Sequence, residues 1–320
     1  MGKSLIKILL VIMVLSLFLM REQALSQEKP FPTRQMSYVV CFDPGGQSDR
    51  GARIYQPHLE KVLGQKVIID YKVGGGGALG WRELSRAKPD GYTFAGFNIP
   101  HIILQPLQQD VGYQTEQIVP VMIFQRTPLG LAVLNTSPIK TLQDFIEYAR
   151  KNPGGVTVGG SGSFSGYHMA ALRLEKLIGA KLTYVPFTGS APQMTSFLGG
   201  HLTAVFGASD DLTIHRDKLR VIGFATDERF PGFPDAPTLK EQGVDMAEAV
   251  DRGVAVPPGT PDYIIKKLES AMIQVAKMPE IQTEMKRQGF VPMAMGHDEC
   301  KAYLNKMIPI YRELTAEIKK

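Results

Sequence analysis

The sequence predicts an α/β fold made of two lobes, and three observations carry that prediction. Short runs rich in Val, Ile, Tyr and Phe, bounded by Gly, Pro or Asp, alternate with helical patterns along most of the chain. That alternation is the signature of mainly parallel sheets with helical crossovers. The 320 residues exceed one ordinary domain, which holds roughly 100–200. The tail from Pro261 to Lys320 reads as three helices without a strand, punctuated by Pro279 and Gly296, and must pack on something formed earlier.

Met1–Lys7 holds two lysines, Ile8–Met20 is apolar apart from Ser16, and Ala24-Leu25-Ser26 places small residues before a cut after Ser26. A basic start, a short apolar core and a small-x-small site describe a secretory signal peptide over residues 1–26. A spanning helix would need about 20 apolar residues. No Cys stands at the cut, so the expected product is an exported, soluble chain beginning at Gln27 rather than a lipoprotein.

Residues 27–129 then form the first part of lobe one, with strands expected at Ser37–Phe42, Lys66–Tyr71, Thr93–Phe97 and Ile118–Phe124. Helices are expected at Gln47–Leu63 and Ala78–Ala87. In the first of these, Arg53, Gln56 and Lys61 alternate with Ile54, Leu59 and Val62, the pattern of a helix laid on a sheet. The chain is expected to cross near Gln125–Gly130 into a second lobe, residues 130–252. That lobe has strands at Leu129–Leu134, Val156–Gly159, Leu182–Pro186, Thr203–Phe206 and Arg220–Ala225, and helices at Leu142–Lys151, Ser165–Ile178 and Ala191–Leu198. It returns near Ala249–Ala255, so that strand Gly253–Val256, helix Pro261–Ala276 and the rest of residues 253–320 complete lobe one.

Composition narrows the function. Hydrophobic residues make up 44% and charged residues 21%, and the 32 Gly and 22 Pro are dispersed, which excludes disordered, collagen-like and coiled-coil chains. The formal charge of +5 is small, part of it lies in the leader, and no Arg- or Lys-rich run appears, so no nucleic-acid partner is expected. Cys41 and Cys300 are too few for a disulfide framework or a thiolate metal site; Cys41 reads as a small buried hydrophobe. The six histidines show no metal-ligand spacing, and no G-x-x-x-x-G-K-[ST] loop exists, so no metal and no cofactor is expected. Trp81 reads as core, and Asp210-Asp211 as a helix cap.

Four strand-to-helix turns carry the remaining chemistry. Phe42-Asp43-Pro44-Gly45-Gly46-Gln47-Ser48-Asp49 ends a strand and opens a helix. Free N–H groups at a helix start bind carboxylate or phosphate, although a plain turn capped by Ser48 or Asp49 is the simpler alternative. Asp43 would repel an anion there unless it points away. Gly74–Gly80 formally satisfies G-x-G-x-x-G through Gly75, Gly77 and Gly80, but the next strand ends Phe97-Asn98 without the acid a dinucleotide site needs. It reads instead as a second loop of close approach. Gly159 to His168 and Val185 to Pro192 repeat the pattern with Ser163, Ser165, Thr188 and Ser190 as donors. Two such turns in each lobe favour a cleft that closes on a small anion.

These motifs, in this order, resemble the periplasmic substrate-binding proteins of tripartite tricarboxylate transporters, the Bug family. The resemblance runs through Phe42–Asp49, Leu63–Val67, Gly74–Gly80, A-K-P-D-G-Y-T at Ala87–Thr93 and V-P-F-T-G-S-A-P at Val185–Pro192. Leu198–His201, Ala236–Gly243 and Val256–Pro261 complete it. It implies a periplasmic Venus flytrap that takes a carboxylated metabolite and delivers it to membrane permease subunits, and the chain is separately expected to act as a monomer. Carried over, the ligand-binding residues are Phe42, Gly45, Gly46, Ser48 and Asp49, with Gly76 and Gly77, from lobe one. Lobe two supplies Ser163, Ser165, His168, Thr188, Gly189 and Ser190. The chain departs from the family pattern at Asp43, at Ser161-Gly162-Ser163-Phe164-Ser165, and at Phe206-Gly207-Ala208-Ser209-Asp210. Asp43 and Phe164 are expected to favour an amine or an aromatic body over a plain dicarboxylate. The competing readings are an exported hydrolase using Ser161, Ser163 or Ser165 with His168, although no G-x-S-x-G elbow is present, and a receptor feeding a sensor kinase.

Overall fold

A computed structural model describes residues 30–318. The leader expected over residues 1–26 lies outside the described residues. Among the described residues ten strands alternate with helices: β1 Met36–Val40, β2 Val67–Tyr71, β3 Thr93–Ile99, β4 Val119–Leu134, β5 Val156–Ser161, β6 Leu182–Phe187, β7 Ala204–Ala208, β8 Leu219–Phe224, β9 Ala249–Val256 and β10 Val291–Met295. The helices are α1 Gln47–Leu63, α2 Ala78–Arg86, α3 His101–Gln108, α4 Leu142–Lys151, α5 Gly166–Ile178, α6 Ser190–Leu198, α7 Ser209–Ile214, α8 Asp262–Ala276, α9 Pro279–Arg287 and α10 His297–Ile318.

The strands run in the order β2-β1-β3-β9-β4-β7-β5-β6, with β8 and β10 also paired to β4. Parallel pairs flank each end, β1 with β2 and β3, and β5 with β6 and β7. The middle is antiparallel: β9 pairs with β3 and β4, and β4 pairs with β7, β8 and β10. The sheet is therefore mixed rather than mostly parallel.

The centre corrects the sequence reading most. Ile118–Phe124 and Leu129–Leu134 are one strand, β4, which pairs with β9 as far as Pro128 and with β7 and β8 from Leu129 onward. The polar stretch Gln125–Thr127 stays in the strand because β9 supplies its backbone partners, and Thr127 Oγ1 also donates to Val250 O at 3.0 Å. The tail also contains a strand. Val-Pro-Met-Ala-Met at β10 lies antiparallel to β4, outside the main strand order, where Pro292 is tolerated. Helix α3 escapes a periodicity reading because Ile102, Ile103, Leu104 and Gln105 are all buried, leaving no polar stripe.

The first lobe is three-layered. Helices α1, α8 and α9 cover one face of its sheet through Tyr55, Leu59, Leu268 and Met285. On the other face, α2, α3 and α10 bring Trp81, Ile102, Leu304 and Tyr311. Trp81 is fully buried, and its Nε1 donates to Gly96 O at 2.9 Å. Cys41 and Cys300 are buried free thiols in that second layer. The other lobe buries Leu131, Phe145, Leu174 and Phe206 around β5 and β7. No helix among the described residues is long and apolar enough to cross a membrane.

Gly253 lies in β9 where a Cβ would stand 2.4 Å from the backbone O of Met122 and 2.5 Å from the Phe97 ring. Because the nearest atom is backbone, relief requires a shift of strand β4. Gly253→Ala is therefore expected to lower stability by about 1–3 kcal/mol, read as a lower midpoint in urea unfolding.

Candidate ligand-binding cleft

The four turns meet along one seam between the lobes. After β1, Gly45 takes a positive φ of 76°, and its N–H donates to Asp49 Oδ2 at 2.8 Å. The other oxygen of Asp49 accepts from Tyr71 Oη at 2.7 Å and from Arg53 Nε at 2.9 Å. Asp49 thus shapes the loop, and both its oxygens are engaged. Ser48 is half-buried one position earlier in the helix.

Gly74 to Gly77 all have positive φ, from 58° to 148°, a run only glycine accommodates. At Gly76 a Cβ would stand 3.3 Å from Cα of Gly162 in the other lobe, and at Gly77 it would stand 2.6 Å from Trp81. The first packs loop on loop across the seam; the second fits the loop over the core. Gln105 Nε2 holds this loop by donating to Gly76 O at 2.9 Å. Phe42 is buried against the Trp81 ring.

From the second lobe, Ser165 Oγ caps α5, accepting from His168 N at 3.2 Å and donating to Gly162 O at 2.9 Å. Its hydroxyl is spent within the loop. His168 stacks on Tyr184 with centroids 4.4 Å apart, its Nδ1 accepts from Phe164 N at 3.3 Å, and burial lowers its pKa. Phe164, at φ 48°, is half-buried against an apolar cluster that joins Trp81 and Ile99 of lobe one to Met169 of α5. Ser163 and Thr188 are exposed. Gly189 and Ser190 are buried at the start of α6, and Ser190 Oγ accepts from Gln47 N at 3.2 Å across the seam. The amino ends of α1 and α6 therefore face each other directly.

Beneath the turns lies a polar network that sequence reading missed. Arg252 of β9 is 3% exposed, and it donates to Thr127 Oγ1, to Gln47 Oε1 and, at 3.3 Å, to Tyr167 Oη. Tyr167 Oη donates to the same Gln47 oxygen at 2.7 Å, while Gln47 Nε2 donates to Asp211 Oδ2 at 2.7 Å. Arg50 pairs with Asp210 and, at 2.6 Å, with Asp211, and reaches Gly45 O at 2.7 Å. Asp210 and Asp211 open α7, but they bind Arg50 instead of capping that helix. Burial and the neighbouring Asp211 raise the pKa of Asp210 against the pull of Arg50. One signal was available: Asp251-Arg252 is a charged pair inside an otherwise apolar strand.

His101, at the carboxyl end of β3, is fully buried with its ring edge-on to Phe42 and Tyr167, centroids 6.0 Å from each. Burial, assisted by Arg252, lowers its pKa from 6.5 to about 3, so it is neutral. A base with a depressed folded pKa favours folding above its unfolded value. That contribution is lost as pH falls below 6.5. Between pH 7 and pH 5 the protein should lose about 2 kcal/mol of stability relative to His101→Asn, measured by urea unfolding of both at each pH.

The model of the tripartite tricarboxylate transporter family receptor, TctC, matches residues 52–315. A UPF0065 protein from the gbd 5′ region of Cupriavidus necator is 30% identical over 278 residues, covering 86% of this chain and 85% of that protein. Among solved structures, R. palustris Rpa4515 with adipate superposes with a TM-score of 0.86 at 25% identity, covering 91% of this chain and 99% of that one. MatC from Rhodopseudomonas palustris with bound malate gives 0.83 at 25% identity, covering 89% and 99%. The order of turns along the seam and the match over most of the sequence agree, and the chain belongs to the tripartite tricarboxylate transporter receptor family.

Proposed function

We propose that this receptor, working in the periplasm as a monomer, captures a small carboxylated metabolite between its lobes and passes it to the membrane subunits of a tripartite tricarboxylate-type permease. The observation that carries this reading is the meeting of the α1 and α6 amino ends, with Gln47 N directed at Ser190 Oγ at 3.2 Å. Each helix end presents free N–H groups and about half a positive charge, so an anion seated between them relieves their repulsion. Two solved relatives hold dicarboxylates, adipate and malate. Gly46, Gly76, Gly77, Gly189 and Ser190 would line the closed cleft, with Phe42 beneath them. Gly45, Ser48, Ser163 and Thr188 would meet ligand from the more open side. Asp49, Ser165 and His168 would hold the loops in shape.

Ligand acts by shifting the lobes toward the closed form, the form a permease would read. The hydrolase alternative finds no support among the described residues: Ser165 is committed to Gly162 and His168, and no serine side chain hydrogen-bonds the His168 ring. Native mass spectrometry of the gently purified protein, followed by thermal shifts against mono-, di- and tricarboxylates, tests the reading. A co-purified acid, or one acid raising the melting temperature by several degrees, supports it; a response only to uncharged or cationic compounds overturns it. Ser190→Ala removes a bond made across the closed seam. It is expected to weaken ligand binding roughly 5- to 30-fold in calorimetric titration, the equivalent of ~1–2 kcal/mol.

A further inference from the structure

The closed seam contains a carboxylate of its own. Asp43 stands just before the Gly45-Gly46 turn, and a Cβ on Gly189, the residue that caps α6, would lie 3.0 Å from Asp43 Oδ2. Asp43 thus brings a negative charge to the amino end of α6, the place a ligand carboxylate would otherwise take. Yet Oδ2 is sealed from solvent and has no hydrogen-bond partner among the described residues. An ionised carboxylate only accepts, so what it lacks is a donor. Beneath that seam lie unspent nitrogens: both ring nitrogens of His101 and Nε of Arg252 are buried without partners among the described residues. The guanidinium nitrogen and one nitrogen of the neutral imidazole are donors, and they lack an acceptor.

We propose that Asp43 sets ligand class, replacing one ligand carboxylate and demanding a donor in its place, so that the receptor takes a carboxylate that also bears an ammonium group: an amino acid. This rests on the carboxylate-receptor reading and narrows it. A buried acceptor without a partner costs far more than a satisfied one, so a ligand lacking the donor is penalised twice, by the unpaired Oδ2 and by charge repulsion. The aromatic body expected from Phe164 finds no such support, because that half-buried ring is already packed against the apolar cluster of Trp81, Ile99 and Met169.

Matched pairs differing only by the amino group isolate the effect: aspartate against succinate, glutamate against glutarate, alanine against propionate and phenylalanine against 3-phenylpropionate. Each would be titrated calorimetrically into the wild-type protein, Asp43→Ala and Asp43→Asn. The expected result is a preference of at least about tenfold for one or more amino acids over the des-amino partner in the wild type. Both variants should lose most of that ratio and bind succinate or glutarate more tightly than the wild type does. Equal or tighter binding of the des-amino acids by the wild type, unchanged in the variants, overturns the assignment of Asp43 and leaves the receptor reading standing. No binding of any pair member by any of the three proteins, all melting cooperatively, overturns the receptor reading and this inference with it.

Discussion

Arg252 is a permanent charge almost removed from water, and both lobes are obliged to supply its partners. Thr127 comes from the central strand, Gln47 from the start of α1 and Tyr167 from α5. Gln47 then passes the constraint to Asp211, Asp211 and Asp210 hold Arg50, and Arg50 fixes the carbonyl of Gly45. The shape of the Gly45-Gly46 loop is thus set from beneath, by a buried guanidinium several elements away. A network of this kind yields little net stability, since desolvation offsets most of the attraction. What it contributes is register: one arrangement of the lobes satisfies every member, and other arrangements leave charges buried without partners.

Above that network the seam is built for close approach. Gly76 meets Gly162 nearly backbone to backbone, and Gly189 meets Asp43. Two helix amino ends are brought together with little side chain between them, which is unfavourable unless negative charge is present. The seam therefore carries a built-in demand for negative charge, which Asp43 and the proposed ligand would share. Beside these close approaches, Phe164 lies half-buried against the cluster that joins Trp81 and Ile99 to Met169, so the seam also carries apolar packing.

Much of this was legible in the sequence where the rules are local. Strand and helix alternate, glycines mark the turns, and the Gln47–Leu63 helix announces itself by periodicity. Trp81 reads as core and is core. What stayed hidden depends on partners distant in sequence. The polar stretch Gln125–Thr127 looks like a linker until β9 is laid beside it, and β10 carries a proline that argues against a strand. Asp210-Asp211 looks like a cap because Arg50 is 160 residues away. Asp49, Ser165 and His168 lie in loops that meet at the seam, and nothing in their local sequence shows that their polar atoms are engaged in holding those loops.

The continuity of β4 carries a lesson for anyone wishing to exchange parts among relatives. It leaves one half of the sheet at Pro128 and enters the other at Leu129, while β9 begins at Ala249 beside it. Neither lobe owns that strand. A graft that swaps lobe two must therefore be cut twice, at 128/129 and at 248/249, and moved as a single insert of continuous chain. Even then the donor insert has to bring side chains equivalent to Tyr167, Asp210 and Asp211, because Gln47, Arg50 and Arg252 stay behind in the host. Modularity in this architecture is set by who answers Arg50 and Arg252 rather than by where the loops are.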